Sequence, residues 1–136
     1  MTQAPSERTR VKRKNIRAKY DSETVHGILD AMPMCTVGYV FKGTPYVTPT
    51  LQWREGEHIY WHGSSASRML ESCREADVCV HENIFDVMVM ARSACNHSCT
   101  YRPVMVVGKP PVGRAPTGGA RRQTAVRERR CARRGG

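Results

Sequence analysis

The chain has 136 residues, 40% of them hydrophobic, and a formal net charge of +10, which suits one domain with a core rather than two. No window approaches the roughly 18 to 20 apolar residues of a membrane helix, and TQAPSERTRVKRK at the N-terminus lacks the apolar stretch of a signal peptide, so a cytoplasmic protein is expected. Residues 109–136 hold nine basic residues against Glu128, leaving residues 1–108 with a net charge of only +2, which argues against a basic nucleic-acid face on the folded part.

Residues 1–19 are polar and basic without apolar periodicity, and read as an arm that is at least partly disordered. From Asp21 the text changes. DSETVHGILDAMP offers Asp21 or Ser22 as an N-cap, Glu23 in the first turn, and Val25, Ile28 and Leu29 at helical spacing before Pro33. Three extended segments follow at 34–41, 45–53 and 58–63, separated by Lys42-Gly43-Thr44 and by Arg54-Glu55-Gly56-Glu57, as in an antiparallel meander. A second helix is expected directly behind the third strand, in SSASRMLESC at 64–73. Further strands are predicted near 77–83, 85–93 and 101–108. Six strands and two short helices suggest a mainly β fold, a small barrel whose closure would remove exposed edges. Residues 109–136 are rich in Arg, Gly and Pro and nearly free of aliphatic and aromatic residues, so they are expected to form no core. An arginine-rich nucleic-acid arm, a plain disordered tail and an out-of-frame continuation of a GC-rich coding sequence are the three readings of that stretch.

IYWHGSSASRML at 59–70 concentrates the chemistry. His62 and Gly63 end a strand and Ser64 to Ser67 open a helix, whose unpaired N–H groups and positive dipole end attract anions. Gly63 permits close backbone approach, serine hydroxyls can donate to phosphate oxygens, and Arg68 adds a charged fork. The blander reading is a serine-capped helix with an exposed arginine.

RAKYDSETVHGILDA, CTVGYV, GTPYVTPT, IYWHGSSASRML and the weaker MARSACNHSCTYRPVMVVG together resemble the pyridoxamine 5'-phosphate oxidase superfamily, in its flavin-nucleotide-binding, nitroimidazole-resistance-like branch, over residues 17–108. The resemblance implies a split β-barrel, a homodimer, and FMN held at the subunit interface, with deazaflavin or haem as alternative cofactors of related barrels. It implies phosphate contacts from Ser67 and Arg68, an adjoining strand end at His62, Gly63 and Ser64, a flavin-lining stretch at Thr48, Pro49 and Thr50, and either a flavin contact or dimer packing from Tyr101 and Arg102. A flavin-dependent oxidoreductase acting on an unidentified small molecule is the implied activity; a non-enzymatic flavin-binding module or a truncated inactive product is the alternative. Several departures speak against vitamin B6 oxidation: Met69 stands where those oxidases usually have lysine, the second strand lacks basic residues, and the tail has no counterpart of their substrate-binding segment. Asn96-His97, Thr100 and Pro103 also depart from the usual text before the last barrel strand, and proline there removes an N–H.

No catalytic residue is assigned. His62 reads as a pocket residue before a proton-transfer group, since flavin chemistry can run on the cofactor while the protein orients it. Cys79, His81, Cys95, His97 and Cys99 have zinc-type donors but lack a close cysteine knuckle, so no metal site is expected. The six cysteines are expected to be reduced, with Cys35 and Cys79 inside apolar runs.

Overall fold

A computed structural model describes residues 4, 6–12, 15–64, 66–114, 121–127 and 130–133. The first regular elements are a two-residue strand β1 (Ala18–Lys19) and helix α1 (Ser22–Ala31). Asp21 caps α1 by accepting from the Thr24 amide at 2.9 Å, and hydrogen bonding from the Thr24 side chain, then from its amide, holds the Asp21 carboxyl below the usual aspartate range. The spacing of Val25, Ile28 and Leu29 puts all three on the buried face of α1.

The meander follows as β2 (Met34–Phe41), β3 (Thr44–Glu55) and β4 (His58–Ser64). Lys42 and Gly43 turn between β2 and β3 with φ of 48° and 77°, the twin left-handed geometry that matches the twist of a tight hairpin. Helix α2 (Arg68–Glu75) follows β4 as expected but begins later than predicted: Ser64 still belongs to the strand and Ser67 is the N-cap. The segments predicted as two strands near 77–83 and 85–93 form one long strand, β5 (Val78–Val89), with a register irregularity between Phe85 and Val87. That irregularity is where the alternation of the sequence changes phase. β6 (Ser98–Gly108) begins three residues earlier than predicted and accommodates Pro103 opposite Asn83, just before the Val104–Val106 segment that pairs on its other side.

Three short strands lie in the stretch where composition predicts no fixed structure: β7 (Val112–Arg114), β8 (Arg121–Arg127) and β9 (Arg130–Arg133). β8 pairs along the whole of β4, and β9 pairs with β6 and β1. Edge pairing uses backbone groups alone, so apolar content is a poor guide to it. The remaining residues of that tail, and residues 1–3, 5, 13 and 14 of the N-terminal arm, lie outside the described residues. Within the arm, Thr9 is buried, Arg8 pairs with Asp77, and the Val11 amide donates to the Tyr20 hydroxyl at 3.0 Å.

The strand order is β1-β9-β6-β5-β2-β3-β4-β8-β7. The fold is thus mainly β with two short helices, built on a central antiparallel sheet β6-β5-β2-β3-β4. The hydrogen-bonded ladder does not close as the barrel expectation required: among the described residues it ends at β1 and β7. Both end strands are very short, which limits the exposed edge without closure.

One face of the sheet and both helices enclose the core. It contains Leu29 and Val25 from α1, Leu70 and Cys73 from α2, and Val37, Ile59, Trp61, Val80, Val104 and Val106 from the strands. Gln52 ties α1 to the sheet by donating to the Leu29 and Met32 carbonyls at 2.7 and 2.6 Å, which satisfies orphan acceptors at the helix end. Ser72 ties α2 to β2 by donating to the Val40 carbonyl at 2.6 Å. The opposite face leaves Val47, Leu51, Val40 and Met105 exposed.

Candidate functional site

The junction of β4 and α2 is built by local hydrogen bonding. The Ser67 amide donates to the Ser64 carbonyl at 2.9 Å, turning the chain out of the strand. Ser67 then caps α2, its hydroxyl oxygen accepting from the Leu70 amide at 3.2 Å. The Ser64 hydroxyl accepts from the Ala66 amide at 3.3 Å. The Arg68 and Met69 amides, in the first turn of α2, have no partner among the described residues. Such amides are the donors a helix start offers to an anion.

A cavity of about 490 Å³ opens against this helix start, inside the range of small-ligand sites. β2 and β3 supply its wall through Tyr39, Thr48, Pro49 and Thr50; β4 supplies His62 and Gly63; the turn and helix supply Ala66, Ser67, Arg68 and Met69. The strand register makes this convergence necessary. Val37 lies opposite Thr48 and Cys35 opposite Thr50, so Thr48 and Thr50 share the inner face with the core residues of β2. Thr50 Oγ1 lies 3.5 Å from the His62 carbonyl, and the His62 ring sits 5.9 Å from that of Trp53. A Cβ added to Gly63 would meet Met69 Cε at 3.4 Å, so strand and helix are in contact there.

Seven residues singled out by sequence therefore meet at one cavity: Thr48, Pro49, Thr50, His62, Gly63, Ser67 and Arg68. Ser64 is committed to the turn and does not line it. Tyr101 and Arg102 lie elsewhere, on β6 opposite Phe85 and Ile84. Arg102 is held by Asp86 through Nε and Nη2 at 2.8 to 3.1 Å, and that carboxylate pushes the guanidinium pKa further up.

Sequence reasoning did not select Tyr39 or Met69 as site residues. The β2 alternation of Cys35, Val37 and Tyr39 held the signal for Tyr39, whose hydroxyl lies 3.1 Å from Thr48 Oγ1. Met69 is 4% exposed and part of the core as well as of the cavity wall. The zinc-type residues lie apart from this cavity. Residues 94–96 form a turn of 3-10 helix, and His97 Nδ1 accepts from the Ala91 amide at 3.0 Å. Among the described residues no three histidine, cysteine or acidic side chains form a metal-holding group. Cys35, Cys73, Cys79, Cys95 and Cys99 are unpaired thiols, and burial pushes Cys35 and Cys73 up to about 12. No helix among the described residues is long and apolar enough to cross a membrane.

Residues 21–131 match the protein family described as pyridoxamine 5'-phosphate oxidase. Among solved structures, the flavocytochrome Anf3 from Azotobacter vinelandii is 34% identical, with a TM-score of 0.87 over 97% of this chain and 75% of that one. The FAD and heme binding protein from Mycobacterium smegmatis is 23% identical, with a TM-score of 0.78 over 88% of this chain and 73% of the other. A protein from Bacteroides thetaiotaomicron named for 5-nitroimidazole antibiotic resistance shares the fold at 17% identity, TM-score 0.66, covering 86% of this chain and 85% of that one. No curated protein matches the sequence significantly.

Proposed function

The chain belongs to the pyridoxamine 5'-phosphate oxidase family, and on that premise we propose that it is a flavoprotein that binds FMN and acts as an oxidoreductase on a small molecule. The observation that supports this most directly is the cavity at the start of α2, where two first-turn amides without a partner among the described residues, the Ser67 hydroxyl and Arg68 converge. Arg68 forms no ion pair among the described residues, which leaves its N–H edge for a phosphate. Thr48, Pro49 and Thr50 would face the ring system, and His62 would sit at its rim. A bound flavin supplies hydride and single-electron chemistry. The protein's share is to hold the phosphate, orient the ring against β3 and exclude water with the Tyr39 and Met69 wall.

A homodimer belongs to the same proposal. The outer sheet face exposes Val47, Leu51, Val40, Met34 and Met105, an apolar surface of the kind that association covers. Tyr101 and Arg102 lie outside this chain's cavity, and on this reading they act at the subunit interface. The unpaired thiols fit a reducing compartment such as the cytoplasm.

A second reading adds haem to the flavin, favoured by the 34% identity to a flavocytochrome. Purification followed by FMN reconstitution tests both. Flavin absorption bands that reduce under anaerobic light support the main reading, and a Soret band supports the second. Protein that takes up no flavin refutes the main reading, and flavin that never transfers electrons to any acceptor favours a non-enzymatic binding module.

A further inference from the structure

We infer that Tyr46, which does not line the cavity, is the positioning residue that fixes the Arg68 guanidinium for a phosphate, a step that rests on the flavin-nucleotide reading above. The Arg68 Cζ lies 4.3 Å above the centre of the Tyr46 ring. Tyr46 in turn stacks on Tyr39, with ring centres 5.7 Å apart and planes 20° from parallel. The two tyrosines are direct partners across β2 and β3. Tyr39 is buried, and its hydroxyl is 3.1 Å from Thr48 Oγ1. A column therefore runs from the core to the cavity mouth: Thr48, Tyr39, Tyr46, Arg68.

The chemistry of the column differs from that at Arg54 and Arg102. Arg54 gives Nε and Nη2 to Asp30, and Arg102 gives Nε and Nη2 to Asp86. Each has its N–H edge occupied and its charge offset by a carboxylate. An aromatic ring holds a guanidinium through its face, by the ring quadrupole, and brings no net charge. The in-plane N–H groups stay open, and these are the groups that grip phosphate oxygens bidentately. Stacking orders the long side chain before the ligand arrives, which reduces the ordering cost of binding. Arg68 also sits at the first position of α2, beside first-turn amides that have no partner among the described residues. The stack thus aims an uncompensated fork at the place where the helix start already favours an anion.

The test compares FMN with riboflavin, which lacks the phosphate, in the parent protein and in Tyr46→Leu and Tyr46→Phe, by flavin fluorescence titration and thermal melting. Tyr46→Leu is expected to weaken FMN about tenfold, with riboflavin affinity within about twofold of the parent. Tyr46→Phe keeps the ring face and should retain the parent's FMN affinity. Unchanged FMN affinity in Tyr46→Leu overturns the inference, as does a parallel loss of riboflavin or a Phe variant as weak as the Leu variant. If the parent binds neither flavin, the flavin reading fails separately, and calorimetric titration with inorganic pyrophosphate takes its place. Pyrophosphate that binds the parent and is weakened in Tyr46→Leu then upholds the role of Tyr46. Equal binding, or none to the parent, overturns it.

Discussion

Replacing Glu82 by glutamine should flatten the pH dependence of stability. Glu82 is 2% exposed on the core face of β5, and neither of its carboxyl oxygens has a hydrogen-bond partner among the described residues. Burial, with a smaller contribution from the Asp30 charge, pushes its pKa from 4.5 up to about 8. A carboxyl whose folded pKa is raised binds a proton on folding between those two values. Its stabilising effect is therefore complete below about pH 4.5 and is lost as pH rises through about 8. Over that window the slope is about 1.4 kcal/mol per pH unit. At neutral pH roughly 2.5 units of the window have been crossed, a loss of about 3 kcal/mol relative to acid. That is a large share of a small domain's stability. Glutamine has the shape of the neutral acid and does not titrate. Urea unfolding of parent and variant from about pH 5 to 8 isolates Glu82 in the difference between the two curves. Asp21 and Asp30, whose pKa values are lowered, lose their contribution only in more acidic solution and cancel in the difference. Parallel curves for the two proteins would refute the reasoning, because they would mean that Glu82 is ionised in the folded state at no cost.

Ser67→Ala should cost about 1 kcal/mol of stability through loss of the α2 cap, whereas Ser67→Asp should keep the cap and still lose FMN, because a carboxylate repels the phosphate; melting and flavin titration of both variants separate the two roles. Met69→Lys should lower stability without ligand, by burying a cation, and increase the melting-temperature gain on adding FMN above that of the parent; an FMN-induced gain no larger than the parent's counts against a phosphate at this helix start. Leu51→Glu on the exposed sheet face should shift sedimentation toward the monomer at unchanged far-UV circular dichroism, and an unchanged sedimentation coefficient would remove that face from the interface.

The parts legible in the sequence are those that local chemistry determines. Asp21 announces α1 because an aspartate oxygen can satisfy an orphan amide three residues on, and it does so. Gly43 and Gly56 mark the hairpin turns because both adopt positive φ. Ser67 and Arg68 were readable as an anion-attracting helix start from order alone: strand, glycine, serines, helix. Thr48 and Thr50 were readable as one face of a strand, and the register of β2 and β3 determines that this face meets His62 and Gly63. Pairing with distant edges was not readable. Nothing in the Arg-rich text of 121–127 distinguishes a strand on β4 from loose chain, since the ladder uses backbone groups that every such residue possesses.

Glu82 and Tyr46 show where pattern and residue type pull apart. In VCVHENIF the positions of Val78, Val80 and Glu82 alternate, and period two assigns all three to one face; the charge on glutamate argues the other way. The structure follows the period: all three are buried, and burial pushes the Glu82 carboxyl pKa up to about 8. Tyr46 has the reverse history. Its place in PYVTPTLQW suggests an ordinary β-former, and its partner Arg68 is 22 residues away in another element. The contact arises because β3 sets Tyr46 beside Tyr39 while the β4 to α2 turn brings the helix start back over the same face. Met69 belongs to the same geometry. It follows Arg68 on a helix whose inner side is packed, so it points into the wall with Leu70 and Cys73 rather than out with Arg68. A lysine at this position would have to reach its charge out of that wall into the cavity, as a second cation on the phosphate. With methionine there, Arg68 is the one lysine or arginine lining the cavity among the described residues, and how firmly it is aimed falls to the tyrosine stack beneath it.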